Sequence, residues 1–126
     1  MTETELKNRT KAFALRVLKL VDALPNTKSG RVLANQLGRS GTSVGANYRS
    51  ACRARSAADM ISKLSVVEEE ADESAYWMEL IGEAKLMPAA KIAALHAEAG
   101  ELTAIMVSSR KTLLARDRKS KIENRK

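Results

Sequence analysis

From Ala57 to Ile81, small or apolar residues recur at strictly alternating steps of three and four: Ala57, Met60, Leu64, Val67, Ala71, Ser74, Met78, Ile81. From Ile92 the same pattern runs through Leu95, Ala99, Leu102, Met106 and Ser109 to Leu113. A strand alternates every second residue, so neither stretch can bury one face as a strand, whereas a helix places all these positions on one stripe. Steps of three and four sustained over several heptads favour helices packed nearly parallel or antiparallel, with their side chains interdigitated. Pro88 lies between the two stretches, where it suits the first turn of a new helix. Ser56 is placed to cap the earlier one, with Asp59 three residues on to complete the capping pattern.

Two further helices precede these. Leu6, Phe13, Val17, Leu20 and Leu24 define the first, from about Thr4 to Leu24, and Pro25 and Asn26 end it. Leu33, Leu37, Ser40, Val44 and Ala51 define the second, from about Ser29 to Arg53. This second helix contains Gly38, Gly41 and Gly45, each costing about 1 kcal/mol relative to Ala in a helix interior. Their spacing puts them on one face, which suits close approach of a neighbouring helix; the alternative is an interruption near Gly41. Aromatic residues are only 3% of the chain, which also argues against a β-sandwich. The expectation is therefore an all-α protein: an antiparallel up-down four-helix bundle over residues 1–117, followed by a disordered basic tail, 118–126, in which Ile122 is the one apolar residue.

The net charge of +7 is unevenly spread. Residues 110–126 hold eight bases and two acids, a net of +6, and the rest of the chain is close to neutral. Within that remainder, Lys28 to Ala58 carries six bases and no acid, and Asp59 to Ala84 carries eight acids and one base. Adjacent segments of opposite sign suggest complementary faces on two helices or two subunits, or simply solvated surfaces. The concentrated positive charge makes Arg110, Lys111, Arg116, Arg118, Lys119 and Lys121 candidate phosphate contacts for RNA or DNA. With no aromatic residue in the tail, such binding would follow phosphates rather than base sequence.

Several chemistries find no support. One cysteine, Cys52, cannot form an internal disulfide, in keeping with a reducing, cytoplasmic setting. One histidine, His96, with Ala93 three residues before it, does not supply the Glu-x-x-His pairs of a di-iron bundle. Gly38 to Ser43 superficially resembles a phosphate loop but lacks the Gly-Lys-Ser/Thr ending. The acids from Glu68 to Glu73 are too dense to share one helical face and have no nucleophile or metal set beside them. No apolar run approaches the roughly 20 residues that span a bilayer. The chain reads as non-enzymatic, without cofactor, metal or membrane partner.

Three positions stand out from the pattern. Tyr76 and Trp77 are half of the aromatic residues; the heptad that buries Met78 turns Tyr76 outward and sets Trp77 beside the core, as at an interface. Asn47 lies close to the apolar stripe of the second helix, where it either makes a register-fixing contact to Glu70 or Glu73 across the bundle or simply rims the core.

Ser40-Gly41-Thr42-Ser43-Val44-Gly45-Ala46-Asn47, the acid-free segment after it up to Ser56, and then Asp59 and Ile61 resemble the second-to-third helix region of a family of four-helix bundle proteins. That family is named for the 23S ribosomal RNA intervening sequences that encode its members. Glu70-Ala71-Asp72-Glu73-Ser74-Ala75-Tyr76-Trp77-Met78-Glu79-Leu80-Ile81 is similar to its acidic-aromatic third-helix motif. The resemblance implies an up-down bundle, commonly a homopentamer, and distant kinship with the accessory variability determinant of diversity-generating retroelements, a basic pentamer that binds a reverse transcriptase and nucleic acid. It attaches no established activity to most members. Gly45 and Ser50 depart from the pattern, which often has another small residue or Pro at the first position and an acid at the second. Self-association, a polynucleotide and a nucleic-acid enzyme such as a reverse transcriptase are thus the expected partners, with a protein scaffold lacking any nucleic-acid role as the alternative.

Overall fold

Three of the four helices begin at a hydroxyl that takes up an otherwise unpaired backbone N–H. In a computed structural model describing residues 1–125, Thr2 accepts from the Glu5 amide at 3.1 Å and the Glu5 carboxylate accepts from the Thr2 amide at 3.2 Å, opening α1 (Glu3–Asp22). Thr27 accepts from the Gly30 amide at 3.0 Å to open α2 (Lys28–Cys52). Ser56 accepts from the Asp59 amide at 3.1 Å to open α3 (Ala57–Glu83), the capping residue expected from the sequence. The fourth helix, α4 (Ala93–Asn124), has no side-chain cap and is entered through Pro88 and a short 3₁₀ turn, Ala89–Lys91.

Consecutive helices pack side by side, and α4 returns beside α1, which closes a four-cornered antiparallel bundle. The predicted stripes form its core: Phe13 and Val17 from α1, Leu37 and Val44 from α2, Leu64, Val67, Met78 and Ile81 from α3, and Leu102 and Met106 from α4 are all essentially sealed from solvent. Thr10 and Tyr48 join them although neither belonged to a predicted stripe. Ala57 is exposed and Met60, Ser109 and Leu113 only half-buried, because the stripes run out at one end of the bundle. Ser40 and Ser74 face each other across α2 and α3, with their hydroxyl oxygens 2.9 Å apart inside the core. Their mutual hydrogen bond satisfies polar atoms that would otherwise be costly to bury.

The α2 helix is continuous through its glycines. A Cβ on Gly41 would stand 2.6 and 2.7 Å from the two Val17 methyl carbons, and one on Gly45 would stand 3.3 Å from the Thr10 carbonyl oxygen. These two glycines let α1 and α2 approach closely, whereas a Cβ on Gly38 would meet nothing. The small-residue face is therefore real but has two glycines rather than three.

The C-terminal segment departs from the expectation of disorder. α4 continues as helix to Asn124, past the boundary drawn at residue 117; Lys126 lies outside the described residues. Ala115, Arg116, Arg118, Lys119 and Lys121 are good helix formers with no Gly or Pro among them, and Lys121 pairs with Asp117 one turn back at 3.2 Å. Low apolar content removes the need to pack this segment but not its helical propensity. No helix of the described residues is long and apolar enough to cross a membrane.

Candidate nucleic-acid interface

Antiparallel connectivity brings the N-terminus of α1, the C-terminus of α2, the α2–α3 connection and the C-terminus of α4 to the same end of the bundle. Lys7, Arg49, Arg53 and Arg55 thereby share one pole with Lys111, Arg116, Arg118, Lys119 and Lys121, all of them exposed, while Lys11 lies midway along α1. Two basic stretches that are far apart in the chain become one basic end.

The six nominated cations do not behave alike. Arg110 is half-buried and donates through Nε to Glu68 at 3.1 Å, closing the α3–α4 seam, so it is a structural ion pair rather than a waiting phosphate contact. Lys121 has Asp117 as its partner. Lys111, Arg116, Arg118 and Lys119 have no ion pair among the described residues. At about 100° per residue, Lys111, Arg118, Lys121 and Arg125 fall within an arc of roughly 80°, while Arg116 and Lys119 point elsewhere. Helical order thus converts a diffuse basic tail into a row of bases along an exposed helix.

Sequence reasoning missed Lys7 and Lys11, because Glu3, Glu5 and Asp22 interleave with the bases of the first helix and hold its net charge to +2. Their spacing of four residues, continued by Ala14 on the α2 side, was the available signal. Between α1 and α2 they flank a groove of about 490 Å³ that Arg49 faces from the other helix.

Tyr76 and Trp77 sit as the heptad required. Tyr76 is 53% exposed, Trp77 is half-buried against the core, and their rings meet edge-on at 5.1 Å. Glu73 Oε1 accepts from Trp77 Nε1 at 3.2 Å and from Arg39 at 3.1 Å, so Glu73 ties α2 to α3 beneath the aromatic pair. The expected contact from Asn47 to Glu70 or Glu73 is absent: Asn47 Nδ2 donates to the Ser43 carbonyl of its own helix at 2.8 Å. The Ser40–Ser74 pair sets the register, and seven residues beyond Ser40 an antiparallel partner stands near Val67, one to two turns from either acid. Glu70 is instead left with a buried oxygen that has no hydrogen-bond partner among the described residues, and burial together with nearby Glu73 raises its carboxyl above the usual range. The buried polar pair that fixes register is Ser40 with Ser74.

Other reactive groups are quiet. Burial pushes the Cys52 thiol up, away from the thiolate that would make it a nucleophile. His96 meets Glu79 at 2.9 Å on the surface. Among the described residues no three His, Cys, Asp or Glu side chains gather as a metal-ligand set.

Comparison with known proteins gives the chain its relatives. No curated protein is significantly similar. A protein of unknown function from the S23 ribosomal protein family of Bacteroides thetaiotaomicron, whose crystal structure is known at 1.70 Å, is 34% identical and superposes with a TM-score of 0.79, covering 84% of this chain and 98% of its own. The model of the 23S rRNA-intervening sequence proteins matches residues 2–108, all of the bundle up to the last turns of α4 that pack on it. By that match, the chain belongs to the 23S rRNA-intervening sequence protein family.

Proposed function

We propose that this protein is a non-enzymatic, homo-oligomeric cytoplasmic bundle that binds RNA or DNA through phosphate contacts at its basic pole. The observation that carries this reading is the convergence of α1, α2 and α4 cations at one end, where Lys111, Arg116, Arg118 and Lys119 have no acid partner among the described residues. Repetition of that pole in several subunits would add avidity without any new contact. The aromatic residues sit in the core or on α3, so recognition follows the backbone rather than the bases. Exposed Tyr76, stacked edge-on against Trp77, supports an association surface on α3 separate from the pole. The pentamer and a reverse transcriptase partner rest on family resemblance, and the family names make RNA the first polynucleotide to test. The same exposed aromatic also suits a protein scaffold, the second reading.

The test compares the full chain with a chain ending at Arg116, using a fluorescent RNA strand and a DNA duplex. Weaker binding after truncation, with helicity retained, supports the reading. Absence of binding by the full chain at physiological salt removes it and leaves the scaffold.

A further inference from the structure

Three of the four seams between neighbouring helices are tied by an ion pair that crosses the seam. Arg9 of α1 grips Glu98 and Glu101 of α4, Arg39 of α2 meets Glu73 of α3, and Arg110 of α4 meets Glu68 of α3. The α1–α2 seam has no such pair among the described residues. It carries cations on both sides instead, Lys7 and Lys11 from α1 and Arg49 from α2, along the groove of about 490 Å³. Lys7 is neutralised by Glu3 on its own helix at 3.1 Å. Lys11 and Arg49 line the groove from opposite helices, with no carboxylate in ion-pair reach among the described residues. Like charges across a seam repel, and an anion between them reverses the sign of that interaction.

The floor of the groove is low because Gly45 has no side chain where α2 crosses the Thr10 carbonyl, and Ala14 and Ala46 beside it are short. Long cationic side chains therefore stand over a shallow channel. Asn8 adds amide donors at its edge. The Thr42 hydroxyl lies at the rim and already gives its proton to the Gly38 carbonyl at 2.7 Å. No aromatic ring lines the channel, so it offers a base nothing to stack on.

We propose that this groove seats a backbone phosphodiester of the polynucleotide, clasped between Lys11 and Arg49, and that it is the fixed contact to which the α4 cations add. The inference rests on the reading that the chain binds polynucleotide, and it locates the contact on the packed bundle rather than on the projecting end of α4. Because Lys11 and Arg49 are exposed, replacing them leaves the core intact.

Fluorescence anisotropy with a labelled RNA strand and a DNA duplex of about two helical turns tests it, at several salt concentrations. Lys11→Ala/Arg49→Ala should weaken binding about tenfold near 0.1 M salt and flatten the duplex salt slope by about 1.8, that is 0.9 for each lost phosphate contact. Lys11→Arg/Arg49→Lys, which keeps both charges, should bind as the parent does. Lys19→Ala/Lys91→Ala removes the same charge outside the groove and should cost far less. If the groove variant loses no more affinity than that control, the groove assignment is overturned while polynucleotide binding stands. If the unaltered protein binds neither probe, both fall. If inorganic phosphate displaces the duplex at concentrations that add negligible ionic strength, the groove serves a free phosphate and the backbone assignment is overturned.

Discussion

Gly41→Ala adds one methyl group where the structure has no room for it. The new Cβ would lie 2.6 and 2.7 Å from the Val17 methyl carbons and 3.0 Å from the Val17 Cβ, about an ångström inside normal carbon–carbon contact. Val17 is fully buried, and a β-branched side chain in a helix has essentially one rotamer, so it cannot swing aside. Either α1 and α2 spread or Val17 is strained, an overpacking cost of up to about 3 kcal/mol. The intrinsic preference of a helix for Ala over Gly returns about 1 kcal/mol, leaving a net loss of about 1–2 kcal/mol. Gly38→Ala, one turn earlier, meets nothing and should gain about 0.5–1 kcal/mol. The same substitution at two neighbouring glycines therefore has opposite signs. Urea unfolding reads both as shifts of midpoint at constant slope. The double variant Val17→Ala/Gly41→Ala should be less destabilised than the sum of the single changes. A Gly41→Ala protein as stable as its parent would refute the close approach of α1 and α2.

Lys85 ends α3 with φ of 59°, in a terminal turn where the Leu86 amide donates to the Ile81 carbonyl at 3.0 Å; Lys85→Gly should stabilise by about 1 kcal/mol in a thermal or urea melt. Glu70→Gln removes a half-buried carboxyl whose folded pKa is raised, first by burial and then by Glu73. Its ionisation opposes folding, so the variant should match the parent in acid and become more stable as pH rises through and above the ordinary Glu range, in urea midpoints taken across pH. Glu98 has the opposite sign, because the hydrogen bond from Arg9 holds its carboxyl below the ordinary range. Glu98→Gln should cost about 1 kcal/mol near neutrality, after allowance for solvent screening, and the deficit should disappear as pH falls through the lowered folded value.

The bundle was legible because burial follows a periodic rule: one face of each helix meets the core, so Leu64 and Leu102 could be placed from spacing alone. What escaped depends on partners that spacing does not name. Asn47 lies beside the stripe as read, yet its amide turns to its own helix, because a carbonyl four residues back is always present and an acid on another helix must be in register. Thr10, polar and outside the apolar stripe, is buried because its hydroxyl donates to the Leu6 carbonyl at 2.8 Å and only its methyl group has to be packed. The extension of α4 shows a related limit: absence of apolar residues says that a segment does not pack, not that it lacks helix. At the candidate site, net charge identified the tail, but the joining of its bases with Arg49, Arg53 and Arg55 at one pole comes from antiparallel connectivity.

The slope of log affinity against log salt for the full chain on duplex DNA measures directly whether the basic pole engages phosphates. Lys111, Arg116, Arg118, Lys119, Arg49, Arg53 and Arg55 are cations at that pole with no acid partner among the described residues, and Lys11 lies in the groove beside it. Engagement of even four of them in one subunit predicts a slope of about −3 to −4, and a steeper one if several subunits bind together. A slope near zero, or no binding at physiological salt, would contradict a phosphate-reading role for this protein.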